Sequence, residues 1–402
     1  MYRLSLMLFA ATSLAAPRSS RIDSEVKSVT KSAILIDTHN DIPSFTVDGA
    51  DIGNSPKTHT DIKRLREGGV GAVFFSDYVG ANYVEGNHSA NRELQMIDTV
   101  HHDILDRYPK DFQLSLTAAD VEKARKKHKI AALLGLEGGH AIEDSPRLLR
   151  DYYRLGVRYM TLTHVNTNAW ADSSGDIDDP AIAHHNGLTA SGKEIIHEMN
   201  RLGMMVDISH VSDKTFYDAL ETSQAPLIAS HSDCRAISNV PRNMTDDMIV
   251  ALAKKGGVIQ MSVNCSFISQ KSADAAKNSP LKDRYKQIRE QFKNDPAQLQ
   301  KAITQLEDDE KQYEVRASLA DVVANIDHVK QIAGIGAIGI GSDFDGITCT
   351  PTDLDDVSKF PNLTRALLEK GYTPAEIKKI YGGNTLRLMG QVEKVSAGLR
   401  TP

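Results

Sequence analysis

His39 and Asp41 stand two positions apart in the segment DTHND. On an extended chain, residues i and i+2 point to the same side, so both side chains can reach one ion. A single His-x-Asp pair arises often by chance; its weight here comes from recurrence. Glu137, His164, His210, His231 and Asp343 each close a further short apolar run. Imidazoles and carboxylates with no thiolate among them suit Zn2+ or a similar divalent cation. Four to five ligands, one a carboxylate able to bridge, fit two ions about 3.5 Å apart that share a hydroxide. Such ions lower the pKa of water towards neutrality, so a hydrolytic nucleophile forms without any Ser or Cys. The remaining histidines, including the pairs His101–His102 and His184–His185, read as surface residues of helices and loops.

Convergence of these groups needs elements that bring distant positions together. From about Ala33 onward, short β-branched or apolar runs alternate with longer segments of helical period, the pattern of parallel βα units. Eight strands are expected: Ala33–Asp37, Gly71–Ser76, Ala131–Glu137, Val157–His164, Met204–His210, Pro226–His231, Gly257–Val263 and Ala337–Asp343. Helical segments between them include Ser89–Tyr108 and Thr189–Gly203. The second places Ile195, Met199 and Leu202 on one face, with Ser191 as N-cap and Gly203 as the stop. Eight such units predict a (β/α)8 barrel, in which all strand C-termini meet at the rim where active sites are built. An open doubly wound sheet is the alternative, but no Gly-rich phosphate fingerprint follows the first strand. From about Ser269 to Arg316 the rhythm breaks. There DRYKQIREQFK and QLEDDEKQYEVR read as exposed helices of a charged insertion between the seventh and eighth strands.

Composition narrows the function classes. With 402 residues, 41% hydrophobic and 25% charged, the chain is globular rather than disordered, collagenous or multi-span. A net charge of −6 without a basic block argues against nucleic acid as a partner. Three cysteines are too few for a disulfide framework, and the odd count leaves at least one unpaired within the chain. Arg3 followed by the apolar stretch Leu4–Ala16, with Ser13 and Ala15 before a cut, reads as a secretory signal over residues 1–15. Residues 16–402 are then expected to form a single domain. Sequons at Asn87, Asn243, Asn264 and Asn362 are compatible with a secreted glycoprotein. The closing segment EKVSAGLRTP offers no apolar tail for a lipid anchor, so no stable membrane anchor is expected.

The motifs around the candidate ligands carry a resemblance. HND after DT, LEGGHAIED, TLTHVNTNAWAD, DISHVS, SHSDCRAISNVPRNMTDD and GSDFDG resemble the membrane (renal) dipeptidase family of zinc peptidases, in order, from about Ile34 to Leu388. The resemblance implies a (β/α)8 barrel of the metal-dependent hydrolase type, two zinc ions, dipeptide substrates and a homodimer. It implies that His39 and Asp41 hold the first zinc, that Glu137 bridges both, and that His210 and His231 hold the second. Asp343 resembles the acid–base residue that passes a proton from the attacking hydroxide to the leaving amine. Asp345 is the competing carboxylate; Asp343 is favoured because it comes first after the apolar run. His164 matches the residue that contacts the scissile carbonyl and stabilises the oxyanion. Arg242 matches the arginine that pairs with the substrate's C-terminal carboxylate, a task suited to a bidentate guanidinium. A glycan on Asn243 would crowd that pocket, so this sequon is expected to be unused.

Two departures stand out. Ala169 precedes Trp170 where relatives carry proline, and the cysteines that pair in secreted animal relatives are not recognisable. Other readings keep the barrel and the metals but change the substrate, to Cys-Gly units of glutathione adducts or to N-acyl amino acids. A non-catalytic, metal-stabilised binding protein is the remaining alternative. Retention of Asp343 beside every ligand argues against it, since a binding module needs no proton carrier.

Overall fold

All eight expected runs form strands, and all pair in parallel. The computed structural model describes residues 18–400, except 282 and 293–295, so the expected signal at 1–15 lies outside the described residues. The strands are β1 (Leu35–Asn40), β2 (Val70–Tyr78), β3 (Phe112–Leu114), β4 (Ile130–Glu137), β5 (Val157–Thr161), β6 (Met205–Asp207), β7 (Ile228–Ala229), β8 (Val258–Met261) and β9 (Ile338–Ile340). β2 pairs directly with β4, and β9 returns to β1, so eight strands close a barrel in the order β1-β2-β4-β5-β6-β7-β8-β9. β3 stands outside that ring. It pairs only with Ile130–Ala132 of β4, below the stretch Leu134–Glu137 that pairs with β5. Its three residues, FQL, carry no periodic signal, and only the exposed edge of β4 makes them a strand.

Both faces of the barrel strands are covered, which is why the runs are almost continuously apolar. Ile36, Ala72, Phe74, Ala131, Leu133, Tyr159, Met205, Ile228 and Val258 fill the interior, joined by Leu388, Met389 and Val392 of the helix Asn384–Arg400. The alternate residues, such as Val73, Phe75, Ala132 and Leu134, pack outward in the second, larger core. In the helix Ala190–Leu202 the N-cap is Thr189, not Ser191. Thr189 is extended and its side chain accepts from the Gly192 N–H, while Gly203 stops the helix in a left-handed conformation as expected. The charged insertion between the seventh and eighth barrel strands does form helices, at Arg284–Gln291 and Pro296–Glu310. They enclose a small apolar cluster of their own around Ile288, Leu299 and Leu306.

Several strands end earlier than their apolar runs. β5 stops at Thr161 rather than His164, β6 at Asp207 rather than His210, and β9 at Ile340 rather than Asp343. Buried aspartates take over the backbone donors there. Asp207 accepts from the N–H groups of Ser209 (3.1 Å) and Ser230 (2.8 Å), and Asp37 accepts from that of Ser342 (2.7 Å). A backbone donor satisfied by a side chain no longer needs the ladder, so the chain can turn inward. Cys265 and Cys349 form a disulfide between the loops after β8 and β9, and Cys234 is buried and free.

Gly135 on β4 links this packing to the mouth. A Cβ there would lie 2.1 Å from the Tyr159 ring, far inside contact distance. Overpacking of this kind costs about 1–3 kcal/mol. Gly135→Ala is expected to unfold at clearly lower denaturant than the parent chain; an unchanged midpoint would contradict the packing described.

Candidate metal centre and active site

Alternation along β4 sends Ala131, Leu133, Gly135 and Glu137 to one face, so the barrel interior ends at its mouth in a carboxylate. Three imidazoles close on it. His210 Nε2 and His231 Nε2 lie 3.1 and 3.4 Å from Glu137 Oε1, and His39 Nε2 lies 3.4 Å from Oε2. Asp41 Oδ2 is 3.4 Å from the same His39 nitrogen, and His164 Nε2 is 3.8 Å from Glu137 Oε1. Asp343 joins His39 and His231 in a group whose ligand atoms all fall within 4.8 Å of one another. The Arg242 guanidinium donates to Ser232 Oγ (2.8 Å) and to the His231 carbonyl (2.5 Å). All eight residues singled out in the sequence therefore meet at one mouth. Asp345 is held differently: its carboxylate accepts from the His59 N–H (2.5 Å), and its own N–H donates to His59 Nδ1 (3.0 Å).

The backbone is turned back where two of these residues leave their strands. His210 has φ 66° and Asp343 φ 64°, in the left-handed region. Asp and His tolerate that region better than most residues, at a cost of order 1 kcal/mol.

Hydrogen bonds behind the ligands fix which ring nitrogen faces inward. Ser230 Oγ donates to Asp207 Oδ2 (2.6 Å), so it can only accept from His231 Nδ1 (2.8 Å away). That leaves the His231 Nε2 lone pair aimed at the centre. His39 Nδ1 is 2.8 Å from the Tyr159 hydroxyl, which likewise allows Nε2 to point inward. Partners of this kind set the tautomer and orientation of metal-bound histidines.

The donor set fits divalent cations. His210 Nε2 and His231 Nε2 are only 2.9 Å apart and both face a carboxylate oxygen. Where both nitrogens present lone pairs, that distance is repulsive unless a cation lies among them. His39 Nε2 and Asp41 Oδ2 are buried and have no hydrogen-bond partner among the described residues. Burial holds His210 and His231 well below the usual imidazole range, with Arg242 adding to the effect on His210 and His39 and Arg242 on His231, so both rings are neutral. Burial also disfavours charge on His39, yet Tyr159, Glu137 and Asp41 hold its pKa well above the usual value. Carboxylates that hold a proton there can hold a metal ion in its place. Burial would raise Glu137, but His39 and His164 pull it well below the ordinary carboxylate range. Burial takes His164 down to about 4, leaving a neutral ring.

A model of the membrane dipeptidase family, peptidase family M19, matches residues 23–402. The chain belongs to that family. Dipeptidase verJ of Clonostachys rogersoniana is 37% identical over 382 residues, covering 91% of this chain and 86% of that protein. Among solved structures, the probable dipeptidase PvdM from Pseudomonas aeruginosa matches with a TM-score of 0.79 at 22% identity, over 94% of this chain and 99% of that one. A metallo peptidase from Rhodobacter sphaeroides, liganded with a phosphinate mimic of the dipeptide L-Ala-D-Ala, matches at 0.70 and 22% identity, over 90% and 99%. These structural likenesses speak for the fold, and the family match speaks for the activity. This member of the membrane dipeptidase family is a metal-dependent dipeptidase.

Sequence reasoning passed over the groups behind the ligands. Besides Tyr159, they are three buried Asp–Ser pairs: Asp37 with Ser342 (2.6 Å), Asp207 with Ser230 (2.6 Å) and Asp233 with Ser262 (2.5 Å). Burial lifts Asp37 to about 6 and Asp233 to about 7. A signal was present, since Asp37, Asp207 and Asp233 each stand two or three positions from His39, His210 and His231. The surface reading also fails for His140, which is buried on the turn Gly139–Ile142 just after Glu137. In this dipeptidase, Ser230→Ala removes the acceptor of His231 Nδ1. Metal affinity is expected to fall about 10-fold or more, read by titrating the apo-protein against a chelator of known affinity; an unchanged affinity would refute the role.

Proposed function

We propose that this metallo-dipeptidase is a zinc enzyme with two ions per chain. His39 and Asp41 hold one, His210 and His231 the other, and Glu137 bridges them. The observation that carries this reading is the single Glu137 carboxylate facing His39 through one oxygen and His210 and His231 through the other. Zinc suits an all-nitrogen and oxygen set with imidazole in the majority. When bound, divalent ions there polarise the scissile carbonyl and lower the pKa of water.

The chain's own groups divide the rest of the work. Arg242 pairs with the substrate's C-terminal carboxylate; Ser232 Oγ and the His231 carbonyl hold its Nη groups in place, and its buried Nε has no hydrogen-bond partner among the described residues. His164 donates to the oxyanion that develops at the carbonyl, for which a neutral N–H is sufficient. Asp343 takes the proton from the attacking water and passes it to the leaving amine. Burial, with Asp41 close by, lifts Asp343 well above the ordinary carboxylate range, so it is a group able to hold that proton between the two transfers. A pocket that grips the carboxylate a few bonds from the reacting carbonyl leaves no room for a longer peptide on that side.

Export is part of the same proposal. The apolar leader at Leu4–Ala16 and the Cys265–Cys349 disulfide both favour an oxidising compartment. Among the described residues, no helix is long and apolar enough to cross a membrane. Of the four sequons, Asn243 is a poor acceptor: it is buried, and its Nδ2 donates to the carbonyls of Ser238 and Phe267.

Removal of metal with a chelator is expected to abolish hydrolysis of a dipeptide library, and Zn2+ to restore it at two equivalents per chain. Asp343→Asn is expected to lower kcat by about 100-fold or more while zinc binding is kept. Failure of zinc to restore cleavage would end the zinc reading, and an Asp343→Asn enzyme as fast as the parent would end the assigned mechanism.

A further inference from the structure

Arg242 does not stand alone at the mouth. Its guanidinium carbon lies 5.4 Å from the centroid of the Phe267 ring. Phe267 belongs to the short helix Cys265–Ile268, which follows β8. Three hydrogen bonds tie this turn and Gln270, two residues beyond it, to the loop that carries Arg242. Ser238 Oγ donates to the Ser266 carbonyl, Asn243 Nδ2 to the Phe267 carbonyl and the Asn239 N–H to Gln270 Oε1, each at 2.7 Å. At the start of the same turn, Cys265 is bonded to Cys349, 84 residues further on, in the loop after Asp343. The Cys265 N–H also donates to the Cys349 carbonyl (3.3 Å). The bridge thus joins the platform under Arg242 to the loop that carries Asp343. Hydrolysis itself has no use for the two sulfurs.

We propose that Phe267 and the Cys265–Cys349 bridge are positioning residues for Arg242, so that affinity for the substrate carboxylate depends on the bridge being closed. The inference rests on the reading of Arg242 as the carboxylate partner. Bidentate recognition needs a fixed plane and a fixed distance, and the aromatic face under the guanidinium supplies both. With the bridge open, the turn keeps its three hydrogen bonds to the Arg242 loop but loses its covalent tie to the Asp343 loop. The turn then shifts as a unit, and Arg242 shifts with it.

The bridge is open to thiols from one side. Both cysteines line a cavity of about 180 Å3 with Ser272, Glu310 and Tyr313 among others, but Cys265 is buried whereas Cys349 is half-buried, so an external thiol reaches Cys349 first. A thiolate attacking Cys349 Sγ forms a mixed disulfide there and releases Cys265 as a thiol. A second external thiol then frees Cys349. Two electrons and two protons pass to the cysteines, and the external pair leaves as one disulfide.

The test compares steady-state kinetics on one dipeptide for the zinc-loaded parent enzyme, Cys265→Ser/Cys349→Ser, Phe267→Ala, Phe267→Tyr and Arg242→Ala. Opening the bridge, by mutation or with a dithiol, is expected to raise KM about 10-fold and to leave kcat within about twofold. Phe267→Ala is expected to do the same and Phe267→Tyr, which keeps the ring, to restore the parent KM. In an Arg242→Ala background, opening the bridge should add no further rise in KM. The dithiol must have no effect on Cys265→Ser/Cys349→Ser, which separates bridge reduction from loss of zinc to the reagent. If Arg242→Ala itself leaves KM unchanged, the carboxylate reading fails. If Arg242→Ala raises KM but neither bridge opening nor Phe267→Ala does, the positioning inference fails. It fails equally if kcat falls together with thermal stability and KM holds.

Discussion

Electrostatic crowding at the barrel mouth is the constraint on which the rest depends. Glu137 and Asp41 both face His39 Nε2, while His210 Nε2 and His231 Nε2 lie within 2.9 Å of each other. Groups of this kind, buried without a counter-charge, are strongly unfavourable. A protonated His39 supplies part of that counter-charge, and cations among the imidazoles and carboxylates would supply the rest. Metal binding and the stability of the mouth are therefore one equilibrium, as in other sites where the ion is the missing counter-charge.

The barrel supplies the rigidity that keeps such ligands from moving apart. Its lower part is an ordinary apolar core of Phe74, Leu133, Met205 and their neighbours. Above that layer the side chains turn polar, and the paired aspartates and serines take over from the strand ladder. Asp207 alone accepts from Ser230 N and Oγ, Ser209 N and Thr161 Oγ1. The short β6 and β7 are a consequence of that substitution, not a weakness of the sheet. The same exchange lets His210 and His231 sit on turns beyond the strands, where their rings can reach Glu137.

A third level lies outside the metal ligands. Arg242 is held by Ser232 and the His231 carbonyl, backed by Phe267, and linked through that turn to the Asp343 loop. The loops that carry Arg242 and Asp343 thus come from different strands and are joined through the Cys265–Ile268 turn by a covalent bond and a small set of hydrogen bonds. The charged insertion, with its own Ile288–Leu299–Leu306 cluster, adds mass at this side without entering the barrel core.

The barrel, and the convergence of its candidate metal-binding residues, were legible in the amino-acid sequence. Periodic apolar runs encode parallel strands locally, and a His, Glu or Asp at the end of six of the eight runs is readable without coordinates because all strand ends share one rim. The family motifs then suggested a role for each of these residues. Only the tertiary structure decided what lies across strands: the pairing of Asp37 with Ser342, of Asp207 with Ser230, of Tyr159 with His39, and of Cys265 with Cys349. It also decided that His140 is buried, that β3 exists, and that Thr189 caps its helix. The reason is physical. Strand formation and side-chain type are properties of neighbouring residues, whereas a hydrogen bond between positions 37 and 342 depends on register and ring closure, which no local stretch of chain contains.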